Sequence, residues 1–267
     1  MLEVDACVLT HVGKVRTNNE DSATLVRPSN VSSVEFHGLL AIVADGMGGH
    51  EGGEFASKLA IDSIVRSYYN SKASPAAALE QALRDGNREV YRAARANSQL
   101  TGMGTTCVAV VLCDDKAWWG WIGDSRFYLL RSGRVYRMSE DHTVVQSMVR
   151  RGLITREEAH DHSDRSVLER ALGTRKNVEP GLGREAIQLK AGDRLLLCSD
   201  GLHDLVEDEE IAWAAAEGPI AQDAEQLLRL ALDRGGHDNI SIVLLEVRQK
   251  SAGPKRSPAI TREYAIA

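Results

Sequence analysis

The chain has 267 residues, 43% of them hydrophobic, and a formal net charge of −6. That is enough apolar material for the core of one large domain, and the acidic balance excludes a protein that lives on nucleic-acid phosphates, which needs a basic face. No apolar stretch approaches the ~20 residues of a membrane span, and Met1-Leu2-Glu3-Val4-Asp5 lacks the basic opening of a secretory signal, so a cytoplasmic protein is expected.

Residues 5–12 alternate like a sheet strand. Leu39 to Ala44 is a continuous apolar run stopped by Asp45-Gly46, the pattern of a central strand. Residues 53–69 place Phe55, Leu59, Ile61, Ile64, Val65 and Tyr68 near helical spacing. A second helix opens at Ser74-Pro75, with serine as cap and proline at the first helical position, and runs to about Asn97. Residues 105–113, 117–122, 126–131 and 134–138 are short β-like runs broken by Asp114-Asp115, Gly123-Asp124 and Ser132-Gly133, and they read as a meander of hairpins. Trp119 and Trp121 fall on one face of their strand and Trp118 on the other, as sheet packing requires.

Residues 139–185 are polar with short helical pieces, one of them opened by a Thr155–Glu158 capping box. Strands return at 186–190 and 194–198, joined by Ala191-Gly192-Asp193. Helices follow at about 209–216 and 221–234, then a last strand from Ile240 to Val247. The tail, residues 249–267, reads as disordered. The fold class expected is α+β, with two antiparallel sheets sandwiched between helical layers in one domain. Cys7, Cys107, Cys113 and Cys198 have no CxxC spacing and fit small core residues in a reducing compartment better than a zinc site.

Four acidic turns stand apart from this frame: Asn19-Glu20-Asp21, Asp45-Gly46-Met47-Gly48-Gly49, Ser199-Asp200-Gly201 and His237-Asp238-Asn239. Taken singly, each is well explained as a polar turn or helix cap. Together, at strand edges and with no lysine nearby, they crowd carboxylates that repel unless a cation holds them. Oxygen ligands of this kind suit hard divalent cations. No GxxxxGK[ST] or GxGxxG pattern fits the glycines after Asp45, so a nucleotide loop is excluded.

Six stretches, in order, resemble the motifs of the PPM family, the metal-dependent protein serine/threonine phosphatases of type 2C. They are Val15 to Asp21, Val43 to Gly49, Met103 to Thr106, Ile122 to Arg126, Ser199 to Leu202 and Asp238 to Ser241. The likeness covers about residues 5–248 and is greatest to compact bacterial members. It implies a four-layer α-β-β-α sandwich, residues 1–248 as the catalytic domain, and a site for two Mn2+ or Mg2+ ions. It further implies that Asp45 bridges both ions, that Gly46 offers its carbonyl, and that Asp200 and Asp238 hold the first ion. Asp21, with Glu20 beside it, would act through water. Asp124 would serve a third, weaker ion, and Arg16 would bind the substrate phosphate.

The same resemblance implies hydrolysis of phosphoserine and phosphothreonine without a covalent phosphoenzyme. It points to a serine/threonine kinase and its targets as partners, with no nucleic acid and no membrane, for a monomer regulated from outside the chain. Met47 stands where some eukaryotic members carry a histidine proposed as general acid, and methionine cannot donate a proton. His50 reads as solvent-facing, and His160-Asp161-His162 as exposed loop within a flap over about 141–170 that resembles the mobile flap of bacterial members. Two other readings stay open at this point: a catalytically dead phosphoprotein scaffold, and a hydrolase of small phosphate esters.

Overall fold

A computed structural model describes residues 2–28, 37–48, 52–215, 218–249 and 260–264. The strands in chain order are β1 (Leu2–His11), β2 (Ser22–Val26), β3 (Leu39–Ala44), β4 (Gly46–Met47), β5 (Gly104–Thr105), β6 (Cys107–Cys113), β7 (Lys116–Ile122), β8 (Arg126–Arg131), β9 (Arg134–Arg137), β10 (Gly181–Leu182), β11 (Ile187–Gln188), β12 (Arg194–Cys198), β13 (Ile240–Gln249) and β14 (Ile260–Tyr264). One sheet runs β14-β1-β13-β12-β8-β9, and the second runs β10-β7-β6-β3-β2 with β11 also on β7. A two-stranded pair, β4-β5, stands beside them.

Three apolar slabs explain why these strands read as unbroken hydrophobic runs. Val108, Val110 and Leu112 of β6 meet Val43, Phe127, Leu195, Leu197, Val243 and Leu245 between the two sheets. The alternate residues of β6, among them Ala109 and Val111, face the helices Gly52–Asn70 and Pro75–Ala96 through Ile64, Leu79 and Leu83. On the outer face of the other sheet, Leu196, Cys198, Ile242 and Leu244 pack on Ile211, Leu227 and Leu228 of the helices Asp208–Ala214 and Ile220–Asp233. A strand with both faces covered has no polar side to alternate, so its sequence is continuous rather than period-two. Each fully buried Leu or Val contributes roughly 1.5–3 kcal/mol relative to an exposed one.

The layering matches the expected α-β-β-α sandwich, and the alternation of the tryptophans holds: Trp119 and Trp121 pack between the sheets and Trp118 packs on the helix side. All four cysteines are buried, and none is in a disulfide. The Thr155–Glu158 capping box is present, with both reciprocal bonds made. Among the described residues no helix is long and apolar enough to cross a membrane.

Several elements differ from the sequence expectation. The meander breaks between β7 and β8: β7 pairs with β6, whereas β8 pairs with β12 and β9 in the other sheet. The turn at Gly123-Asp124 is therefore a crossing between sheets, which local turn chemistry cannot tell from a hairpin. β11 and β12 are likewise split between the sheets. β2, half-buried along its whole length, has no alternation to announce it. Ser74 sits at the cap position but its side chain makes no capping bond. In the tail expected to be unstructured, Ile260–Tyr264 lies as a strand parallel to β1. The exposed edge of β1 gives this β-prone stretch a partner that the sequence does not display.

Candidate functional site

The acidic turns meet because of strand polarity. β1 ends at His11 where β13 begins at Ile240, and β12 ends two residues from there, with Cys198 opposite Ile242. In the other sheet, Ala44 at the end of β3 lies opposite Ser22, and Ile122 at the end of β7 lies opposite Cys107. All these ends fall on one edge of the sandwich, so Glu20, Asp45, Gly46, Asp124, Asp200 and Asp238 line one cavity of about 660 Å3, together with Arg16 and Met47. Asp21 lies beside them, 5% exposed. Gly49 and His50 lie outside the described residues.

Hydrogen bonds hold Asp45, Glu20 and Asp21 in place. The Asp45 carbonyl accepts from Thr106 N at 2.8 Å and from Thr105 Oγ1 at 2.8 Å, and its own amide donates to Thr106 Oγ1 at 3.0 Å. Gly46 donates to the Glu20 carbonyl at 3.2 Å. A Cβ on Gly46 would strike the carbonyl oxygens of Gly53 and Glu20, so only glycine permits this close approach. Asn239 fastens the first acidic turn to the last: its Oδ1 accepts from Glu20 N at 2.7 Å, and its Nδ2 donates to the Val12 and Asn18 carbonyls, both at 2.9 Å. Ser199 Oγ donates to Asp21 Oδ2 at 2.7 Å and accepts from Ser241 N at 2.9 Å.

The electrostatics are those of several crowded carboxylates with one guanidinium, Arg16, among the cavity's lining. Burial pushes Asp21 up to about 7, with Asp200 and Asp238 adding repulsion against the help of Ser199. Burial likewise drives Asp45 and Asp124 well above the ordinary carboxylate value, reinforced by Asp200 in both cases. Asp200 is raised chiefly by burial, although His203 opposes the shift. Asp45 and Asp200 keep a partly exposed edge toward the cavity while lying deep among protein atoms.

Arg16 is the cation of the cavity, and its Nη2 meets Asp238 Oδ2 at 2.6 Å. Both partners are half-exposed, so this pair is exchangeable and adds little to stability.

The donor set fits divalent cations. Asp21 Oδ1 and Asp200 Oδ1 are buried with no hydrogen-bond partner among the described residues, a condition that a cation would relieve. Every candidate ligand is oxygen, the chemistry of Mn2+ and Mg2+ sites. Among the described residues no three His, Cys, Asp or Glu side chains are already arranged to hold a metal ion, and Asp238 is turned to Arg16.

Sequence reasoning missed several residues of this site. Asn239, Ser199 and Thr106 act through bonds to partners 19 or more residues away, which no local pattern displays. His203 was also missed: its side chain is 3% exposed, its Nε2 donates to the Asp124 carbonyl at 3.0 Å, and its Nδ1 lies 3.4 Å from Asp204 Oδ1. The segment expected to form a flap holds two short helices, Val144–Arg150 and Arg156–His160, beside a second cavity of about 860 Å3 that shares Asp124, Ser166 and Asp200 with the first. His160 is exposed at the end of the second flap helix, and the ring Nδ1 of half-buried His162 accepts from Asp164 N at 3.0 Å.

Comparison with known proteins bears on this geometry. The model of the protein phosphatase 2C family matches residues 14–239. The chain is 44% identical over 225 residues to the serine/threonine protein phosphatase PstP of Mycobacterium tuberculosis, covering 84% of this chain and 43% of PstP. It thus spans less than half the length of that relative. Against protein phosphatase PhpP of Streptococcus pneumoniae the identity is 30% over 255 residues, covering 93% of this chain and 100% of PhpP. Among solved structures, the M. tuberculosis phosphatase PstP superposes with a TM-score of 0.82 at 38% identity, over 93% of this chain and 100% of that one. The catalytic domain of PstP in complex with two manganese ions gives a TM-score of 0.80 at 38% identity, again over 93% and 100%.

Proposed function

The chain belongs to the protein phosphatase 2C family, and from that membership we propose that it is a metal-dependent phosphatase of phosphoserine and phosphothreonine in proteins. One observation carries the reading: carboxylates from turns as distant as Glu20 and Asp238 line a single cavity with Arg16, and buried oxygens of Asp21 and Asp200 have no partner among the described residues.

Residues 1–248 form the catalytic domain. Asp45, Asp200 and Asp238 would hold two Mn2+ or Mg2+ ions through carboxylate oxygens, and Gly46 through its carbonyl. Glu20 and Asp21 would act at one remove, and Asp124 would serve a weaker third ion. Bound there, the ions would supply Lewis-acid polarisation of phosphoryl oxygens and a lowered pKa for water. Arg16 leaves Asp238 and presents its planar fork to the phosphate, a geometry that suits two oxygens at once. Asn239 and Ser199 keep the first acidic turn in register with the last, so that the carboxylates stay aimed while charge moves through the site. Met47 cannot protonate the leaving oxygen, and that proton comes from elsewhere in the cavity.

The protein acts as a cytoplasmic monomer opposite a serine/threonine kinase whose products are its substrates. The test is hydrolysis of phosphothreonine peptides beside nucleotides and sugar phosphates, with Mn2+, with Mg2+ and with EDTA. Metal-dependent turnover of the peptides above the small esters is expected. Faster turnover of the small esters would overturn the protein substrate, and peptide binding without turnover would mark a scaffold.

A further inference from the structure

We propose that His142 is a positioning residue that ties the flap to the carboxylate site, so that cation binding and flap closure are coupled through it. His142 is 7% exposed and stands where the chain enters the flap. Its backbone N–H donates to the Gly123 carbonyl at 3.0 Å, and its ring Nδ1 accepts from Gly123 N at 3.3 Å. Both polar groups of Gly123 are therefore held by one residue, and the ring proton sits on Nε2. The ring lies stacked on Trp121, with centroids 5.8 Å apart and planes 20° from parallel.

The other end of the flap returns to the same residue. The His142 carbonyl accepts from Glu169 N at 2.7 Å and from Arg170 N at 3.4 Å. Next to it, Val144 N donates to the Val167 carbonyl at 2.9 Å, closing the neck of the flap.

On the inner side, Gly123 leads straight into the acidic cluster. It has φ +99°, and a Cβ there would strike the side chain of Thr106. Thr106 Oγ1 lies 2.6 Å from Ser125 Oγ and accepts from the Asp45 amide at 3.0 Å. A continuous run of bonds and packing thus joins Glu169 and Arg170, through His142, Gly123 and Thr106, to Asp45. The two hydrogen bonds that tie His142 to Gly123 pass a shift at the flap neck to the Gly123-Asp124 turn. Burial alone would be served as well by an apolar ring. The acceptor at Nδ1 is what an apolar ring lacks, and coupling is the property that separates the two.

The test uses the whole chain and two substitutions. His142→Asn keeps an acceptor where Nδ1 lies and loses the ring, whereas His142→Phe keeps the stack on Trp121 and has no acceptor. Amide hydrogen exchange of residues 144–168 is followed with and without Mn2+, and Mn2+ binding is measured by calorimetry. In the unsubstituted chain and in His142→Asn, Mn2+ slows exchange in the flap. In His142→Phe the flap no longer responds, and half-saturation by Mn2+ rises about five- to tenfold, the scale of one hydrogen bond. Thr106→Val interrupts the same run at its Asp45 end and is expected to uncouple likewise, which keeps the test open if His142→Phe does not fold. A flap that responds normally in His142→Phe or Thr106→Val, or an equal loss in the Asn and Phe variants, would overturn the proposal. The inference rests on the phosphatase reading for its cations. Exchange and Mn2+ binding are read without phosphopeptide turnover, so a failure of the activity and a failure of the coupling are told apart.

Discussion

The loop after β9 and the strand-end cluster both bury aspartates, with different provision for their charge. In that loop, Asp141 receives Arg126 through two bonds, Nε to Oδ1 at 3.2 Å and Nη2 to Oδ2 at 2.9 Å, and pairs with Arg137 as well. Burial works against its charge, yet the two guanidinium groups hold it down to about 2. Asp193 and Asp223 also have arginine partners, Arg131 and Arg194. In the cluster, Asp21, Asp45, Asp124 and Asp200 are packed with one another, and all are driven upward. Asp141, Asp193 and Asp223 each have an arginine partner, whereas Asp21, Asp45, Asp124 and Asp200 are given none among the described residues, and of the cavity's aspartates only Asp238 meets one, Arg16.

The contrast can be broken at either end. The largest stability effect is expected at the paired end. Asp141→Asn leaves Arg126 buried without its partner and should cost about 3–5 kcal/mol in urea unfolding, the usual penalty for breaking a buried pair. A loss under about 1 kcal/mol would mean that Arg126 finds another partner. At the cluster, Arg16→Ala should lower kcat/KM about 10- to 100-fold, matching one charge-assisted hydrogen bond to phosphate. Unchanged steady-state kinetics would remove Arg16 from the substrate site.

The pH dependence should differ too. Asp21 rises from 3.8 to about 7 in the folded chain. In EDTA the stability it contributes is therefore full below pH ~4 and falls as pH rises through 7, because the folded state holds the proton that the unfolded state has lost. Asp141 has the opposite sign: its contribution is present above pH ~4 and is lost as pH falls toward 2. Urea midpoints at pH 5 and pH 8, in EDTA and in Mn2+, check this. A midpoint in EDTA that rises between those values would contradict the raised carboxylate. The smallest effect is expected far from both regions. Ser74→Ala should change stability by less than about 0.5 kcal/mol, because that side chain makes no cap bond. Thr155→Ala, which breaks a complete capping box, should cost about 1 kcal/mol.

The two regions were not equally legible in the sequence. Asp45 and Asp200 stood out because each ends a continuous apolar strand, β3 or β12, whose two buried faces leave an unmistakable run. The turn before Asp238 was visible for the same reason, preceding β13. The arginine clamp on Asp141 was invisible, since Arg126, 15 residues away, becomes its neighbour only in the fold, and Arg137, four residues away, carries no local signal of the pairing. The crossing at Gly123 was hidden because a glycine-aspartate turn serves a hairpin and a sheet change equally well. His142, Asn239 and Ser199 were missed for one reason: their partners lie 19 or more residues away, and hydrogen bonds of that reach leave no periodicity.

The most direct test of the account is Asp45→Asn, examined for turnover of a phosphothreonine peptide over a range of Mn2+ and for thermal stability in EDTA. Asparagine keeps the shape and removes the charge. Turnover should fall by about three orders of magnitude, the scale for losing a preorganised electrostatic group, while the metal-free protein melts no lower than the unsubstituted chain. Turnover that survives in a folded Asp45→Asn protein, or a loss of stability like that of Asp141→Asn, would show that Asp45 serves the fold and not the cations.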